Sequence, residues 1–139
     1  MKRAWPFAVA ALLWLAPDAR AQAPPEDPLA QYVFPPELVM RHAPEIGLDE
    51  KQKTAIKEAV VRTQARLVDV QWDAQGEAEK LARLLQANTV DEAAVLAQAD
   101  KVMALEREVK RTHLALLVRI KNVLTEAQRA RLTELRRGR

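Results

Sequence analysis

The chain has 139 residues, and neither cysteine nor serine is among them. Without cysteine no disulfide can staple the fold, although an oxidising compartment remains compatible with the composition. Without either residue the two commonest side-chain nucleophiles are missing. Glycine occurs only three times and forms no phosphate-cradling loop, histidine occurs twice, at His42 and His113, and no carboxylate pair clusters in a plausible pocket. No catalytic constellation can be assembled from such a set, so the expectation is a protein that is not an enzyme. Long apolar runs are equally scarce. The one that exists, Ala4 to Ala16, has 13 residues, short of the roughly 20 that a bilayer-spanning helix needs. It follows Lys2 and Arg3 and precedes the small residues of Ala19-Arg20-Ala21. Residues 1–21 therefore read as a secretory signal peptide, cut after Ala21 on export.

Removing that peptide changes what the charge implies. Lys2, Arg3 and Arg20 against Asp18 account for two of the three net positive charges, leaving +1 on residues 22–139. A nearly neutral exported product gives no support to a nucleic-acid partner. The remaining charge is unevenly spread: Gln22 to Ala104 holds 9 basic and 14 acidic residues, and Leu105 to Arg139 holds 10 basic and 4 acidic. One end of the sequence is acidic and the other basic.

What is abundant is Ala, Leu, Glu, Gln, Lys and Arg, a helix-forming vocabulary with no alternating β pattern. Residues 22–34 are rich in proline and polar residues and read as a disordered tether. The domain proper spans 35–139. Pro35-Pro36 opens a short helix of two to three turns, which Pro44 and Gly47 end. Two pieces of sequence then carry the same punctuation, Leu48-Asp49-Glu50-Lys51-Gln52 and Leu124-Thr125-Glu126-Ala127-Gln128. Each is a capping box, in which a short oxygen-bearing side chain accepts from the amide three residues on and a glutamine reaches back to the cap. A third box is expected at Thr89-Val90-Asp91-Glu92, after the soft stretch Ala87-Asn88. These boundaries predict helices from Asp49 to about Gln86, from Val90 to about Asn122, and from Glu126 to about Arg137.

The first long helix places Ile56, Val60, Thr63, Leu67, Val70, Ala74, Leu81 and Leu84 on one stripe. The return helix answers with Val95, Ala99, Val102, Val109, Leu116, Ile120 and Val123. An antiparallel hairpin turning near Asn88 pairs positions whose numbers add to about 176, which sets Leu67 against Val109, Val70 near Glu106 and Thr63 near His113. The fold class is therefore all-α: an elongated hairpin of long helices with short N- and C-terminal helices, four in all. Each long helix also carries a second apolar stripe, with Val61, Ala65, Val68 and Trp72 on the first and Leu96, Met103, Leu114 and Leu117 on the second. Either the short helices and a second copy of the chain cover these faces, or part of them stays open as a binding surface.

Two L-T-x-x-Q-like motifs flanking a helical hairpin behind a signal peptide resemble the periplasmic Spy/CpxP family. The second motif matches in full, and the first has Asp49 where the family has threonine, which preserves the cap. The resemblance implies a thin antiparallel homodimer that holds unfolded or misfolded client proteins without ATP, here on Val61, Val68, Trp72, Met103 and Leu114 with the arginine-rich end. A related branch of periplasmic heavy-metal sensors binds Zn, Ni or Co through H-x-x-x-H and H-x-x-x-M and reports to the periplasmic domain of a membrane partner. In this sequence His42 is followed four positions later by Ile46, and His113 by Leu117, so each half-site lacks a ligand. Met40, Glu37, Glu45 and Glu58 are the reserves for such a metal site.

Overall fold

A computed structural model describes residues 28–138, so the signal-peptide reading over 1–21 and the first part of the tether lie outside the described residues. Four helices follow one another: α1 over Pro36–Arg41, α2 over Glu50–Leu85, α3 over Glu92–Val123 and α4 over Glu126–Arg137, with a single 3-10 turn at Ala30–Tyr32 ahead of them. No strand occurs among the described residues. At 1.5 Å per residue, α2 alone is roughly 54 Å long. The hairpin of α2 and α3 dominates the packing.

The three longer helices each begin where a side chain accepts from a first-turn amide. Asp49 accepts from the Gln52 amide at 2.7 Å, and the Gln52 side chain accepts from the Asp49 amide at 3.1 Å, so the first capping box is complete. Thr125 and Gln128 repeat the arrangement at 3.2 and 2.9 Å. The third start differs from the sequence reading. Asp91, and not Thr89, is the cap of α3, its carboxylate accepting from the Ala94 amide at 3.2 Å, while Thr89 and Glu92 form no box. A carboxylate satisfies the amide and also complements the positive end of the helix dipole, and a hydroxyl does only the first. Asp91→Ala should therefore lower stability by about 1 kcal/mol, whereas Thr89→Ala should stay within about 0.5 kcal/mol of the parent; urea midpoints of the two variants decide it.

α1 has six residues, shorter than the expected two to three turns. Pro35 and Pro36 start it, and the chain then winds through turns to Gly47, whose φ of +62° is a left-handed conformation that favours glycine. Residues 28–34, read from composition as the end of a tether, instead lie against the domain. Phe34 is buried, the Lys121 ammonium donates to the Tyr32 carbonyl, and the Arg136 guanidinium donates to the carbonyls of Ala30 and Val33. Composition missed this because the grip is on backbone carbonyls, which every sequence has.

The hairpin register follows the expected antiparallel pairing to within two residues. Gln98 reaches Glu77, Arg66 reaches Glu108 and Gln52 reaches Val123, pairs whose numbers add to 174 or 175. On α2 the predicted stripe is the inward one, with Ile56, Thr63 and Val70 buried and Val60, Leu67, Ala74, Leu81 and Leu84 half-buried. On α3 the middle of the stripe slips by one position. The inward row is Gln98, Val102, Leu105, Val109, Thr112, Leu116 and Ile120, and Glu106, expected near Val70, is exposed. Leu105 takes the place that a carboxylate could fill only by giving up its hydration.

The apolar core is concentrated at one end. Phe34, Val39, Ala43, Ile46, Leu48, Ile56, Ile120, Leu124 and Leu132 form one buried cluster where α1, α4, the start of α2 and the end of α3 converge. Towards the tip the buried residues are only Thr63, Val70 and Gln98. The same folding turns the charge asymmetry of the sequence into a spatial one. Lys51, Lys53, Lys57, Arg111, Arg119 and the arginines of α4 collect towards the base, and Asp73, Glu79, Asp91, Glu92 and Asp100 lie towards the tip.

Candidate functional site

The two capping motifs, separate in sequence, meet in space. Gln52 Nε2 donates to Gln128 Oε1 at 2.8 Å and to the Val123 carbonyl at 2.9 Å. Gln128 Nε2 donates to Gln52 Oε1 at 3.0 Å and to the Gly47 carbonyl at 3.3 Å. Val123 immediately precedes Leu124, and Gly47 immediately precedes Leu48, so each glutamine grips the residue before the other motif's leucine. The pair is symmetric in its chemistry, and every polar atom of both amides has two partners once the cap amides are counted. Leu48 and Leu124 are buried beneath it. The sequence offered the repeated spacing but no sign that the two copies face each other. This clasp closes the base of the hairpin.

Val61, Val68 and Trp72 stand on the side of α2 remote from its buried row, since two positions from Thr63 or Val70 is about 200° around a helix. They are 56, 51 and 70% exposed. On α3, Leu96, Met103 and Leu114 are exposed as well. The register puts Trp72 level with Met103 and Val61 level with Leu114. All five side chains expected to touch clients are thus outside the core, distributed over the two arms. Val61 lines an apolar groove of about 550 Å³ between α1 and α2, with Pro36, Met40, Ile56 and Val60 as its other apolar walls. Trp72 flanks a second groove of about 540 Å³ with Leu105 and Ala104, rimmed by Lys80, Lys101 and Glu77. The Glu77 carboxyl is held below the usual carboxylate range, chiefly by the hydrogen bond from Lys80 and then by that from Gln98. The apolar floors with charged rims suit an adaptable, weakly specific grip.

The histidines are not brought together. His42 ends α1, with Nδ1 3.4 Å from Glu45 Oε1 and Nε2 buried without a partner among the described residues. Glu45 is held below its ordinary range, first by a hydrogen bond to its own backbone and then by His42. His113 is exposed on α3, while Thr63, its expected partner across the hairpin, is buried. Of the reserve ligands, Glu37 and Met40 line the groove beside Val61, and Glu58 is paired with Arg62. No group of three or more His, Cys, Asp or Glu side chains among the described residues could hold a metal ion. His42 and Glu45 make two donors, fewer than a closed transition-metal site takes, so one chain does not supply a fitting donor set.

Among known protein families, the one described as heavy-metal resistance matches residues 4–131 of this chain. Comparison with curated proteins and with solved structures finds no match.

Proposed function

Because the chain belongs to the heavy-metal resistance family, among helical proteins of the Spy/CpxP kind, we propose that it is a periplasmic, ATP-independent chaperone of the envelope stress response. It acts as a homodimer that holds unfolded or misfolded clients on an apolar and basic surface. The observation that carries this reading is the unburied apolar side of the hairpin, above all Trp72, which is 70% exposed. A tryptophan left in water beside a charged-rimmed groove adds nothing to the chain's own folding and much to contact with a partner. A second copy of the chain covers part of the same faces, and the opposed charges of base and tip favour an antiparallel pairing.

A second reading is favoured by the family description and by the unpartnered Nε2 of His42: a heavy-metal-binding sensor or regulator acting on the periplasmic domain of a membrane protein. Its weakness is the donor set, since His42 and His113 stand apart and further ligands have to come from elsewhere.

The two readings part in one experiment. Aggregation of a reduced, unfolding model protein is followed with residues 22–139 present, in buffer containing a chelator. The chaperone reading expects suppression at near-stoichiometric amounts, a loss of client affinity of about tenfold in Trp72→Ala, and indifference to the double change His42→Ala and His113→Ala. Absence of suppression, with a thermal shift on adding Zn²⁺, Ni²⁺ or Co²⁺ that the histidine variant lacks, replaces it with the sensor reading.

A further inference from the structure

Residues 30–33 are held in an unusual way. Ala30, Gln31 and Tyr32 are exposed and Val33 is only half-buried, so side chains contribute little to keeping this stretch in place. Three carbonyls do the holding. Tyr32 O accepts from Lys121 Nζ at 2.7 Å, Ala30 O from Arg136 Nη1 at 2.7 Å, and Val33 O from Arg136 Nη2 at 2.6 Å. Lys121 comes from the last turn of α3 and Arg136 from the last turn of α4. The stretch they hold is the 3-10 turn Ala30–Tyr32 running into extended Val33, and the turn brings the Ala30 and Val33 carbonyls within reach of one guanidinium. The two cations therefore form a clamp that reads the backbone of a turn and ignores its side chains.

The clamp is built independently of the segment it holds. The Arg136 guanidinium lies over the ring of Phe34, 5.2 Å from its centroid, and Phe34 is 4% exposed in the core beside α1. Cation–π contact with a fixed ring keeps the fork oriented. If residues 28–33 swing away about the Val33–Phe34 linkage, Phe34 and Arg136 stay, and three charge-assisted donors are left facing outward with only water to satisfy them. Any polypeptide that closes a comparable turn can supply the missing carbonyls.

We propose that the Lys121–Arg136 clamp is a binding site for the backbone of an unfolded polypeptide where it closes a tight turn, occupied in the resting chain by its own residues 30–33 as a stand-in that such a polypeptide displaces. The inference rests on the client-holding reading and adds to it the place where a client's main chain is gripped. The apolar faces supply burial and the clamp supplies hydrogen bonds that no particular client sequence is required to provide. The cost of displacement is small because the stand-in surrenders three hydrogen bonds that the incoming chain remakes.

Two residues report on the two surfaces separately. Tyr32 is the chain's sole tyrosine, and Trp72 is the sole tryptophan after residue 21. Fluorotyrosine incorporated into residues 22–139 gives one fluorine resonance on the strap, and a permanently unfolded polypeptide, reduced and carboxymethylated lactalbumin, serves as the probe. As the probe saturates Trp72 emission, the Tyr32 resonance is expected to move to the sharp position of a freely moving side chain. The variant Lys121→Ala with Arg136→Ala should show that position without any probe and bind the probe about tenfold more weakly, with its helical circular dichroism intact. Arg136→Lys, which keeps the charge and loses the fork, should fall between. A Trp72 response with an unmoved Tyr32 resonance, or a double variant that binds as tightly as the parent or tighter, overturns the clamp and leaves the chaperone reading standing. A probe that changes neither signal overturns both.

Discussion

Gln128→Ala is expected to lower the free energy of unfolding by about 3 kcal/mol, a large effect for a polar residue on a small helical protein. The change strips the Thr125 amide of its acceptor, the Gly47 carbonyl of its donor and the Gln52 amide of both bonds it makes to Gln128. Each buried polar group left unsatisfied costs about 1–3 kcal/mol, and water entering the partly buried site recovers some of that sum. Gln52→Ala breaks the same pair from the other side. The two losses must then be non-additive: the double variant should be less destabilised than the sum of the singles by about 1–2 kcal/mol. Gln128→Glu is the sharper control, because a carboxylate can accept from Thr125 but cannot donate, and it would set oxygens against the Gly47 carbonyl and Gln52 Oε1. It should be no more stable than the alanine variant at neutral pH. Urea unfolding of the four chains tests the pair, and strict additivity would show that the two glutamines merely cap their own helices.

Ile120→Ala should cost about 3–4 kcal/mol, the upper part of the range for truncating a buried isoleucine. Ile120 is fully buried where α3 meets Ile56, Leu124 and Leu132, in the densest part of the molecule. Its surroundings are helices anchored by the glutamine clasp, so they cannot collapse into the space that three lost carbons leave. Leu114, six residues earlier on the same helix, is the matched control. It is 46% exposed, and its truncation should change stability by less than about 1 kcal/mol. A single cooperative transition by circular dichroism would license the comparison. A cost below about 1 kcal/mol for Ile120→Ala would mean that the base is not the centre of stability.

Much of this architecture can be read from the residues alone. The four helices, the inward row of α2 and the pairing of the two arms follow from apolar spacing and from capping residues whose chemistry is local. The exposed apolar positions were also legible, because Val61, Val68, Trp72, Met103 and Leu114 fall off the stripe that a two-helix hairpin can bury. The readings that failed are those in which several local solutions compete. Thr89 and Asp91 are both competent caps two residues apart, and only the helix dipole separates them. Glu106 and Leu105 are neighbours on a slowly drifting face, where periodicity cannot choose but the cost of burying charge can. The strap and the meeting of Gln52 with Gln128 lay beyond sequence reasoning for another reason. Both depend on main-chain carbonyls brought close by the fold, and a carbonyl leaves no trace in the choice of residue.

The uneven placement of the core gives the molecule a gradient of local opening. At the base, nine buried apolar residues and the glutamine pair bind four helices into one unit. Beyond Val70 the arms meet through a single row of half-buried side chains and the amide of Gln98. Amide protons near Ile56 and Ile120 should therefore exchange only when the whole chain unfolds, and those approaching Leu84 and Val95 through brief separations of the tip. Trp72 and Met103 stand in the looser half, where two helices can shift against each other without disturbing the base. Such a hairpin behaves as a pair of compliant fingers on a rigid palm, and the compliance sits where clients of no fixed shape would have to be accommodated.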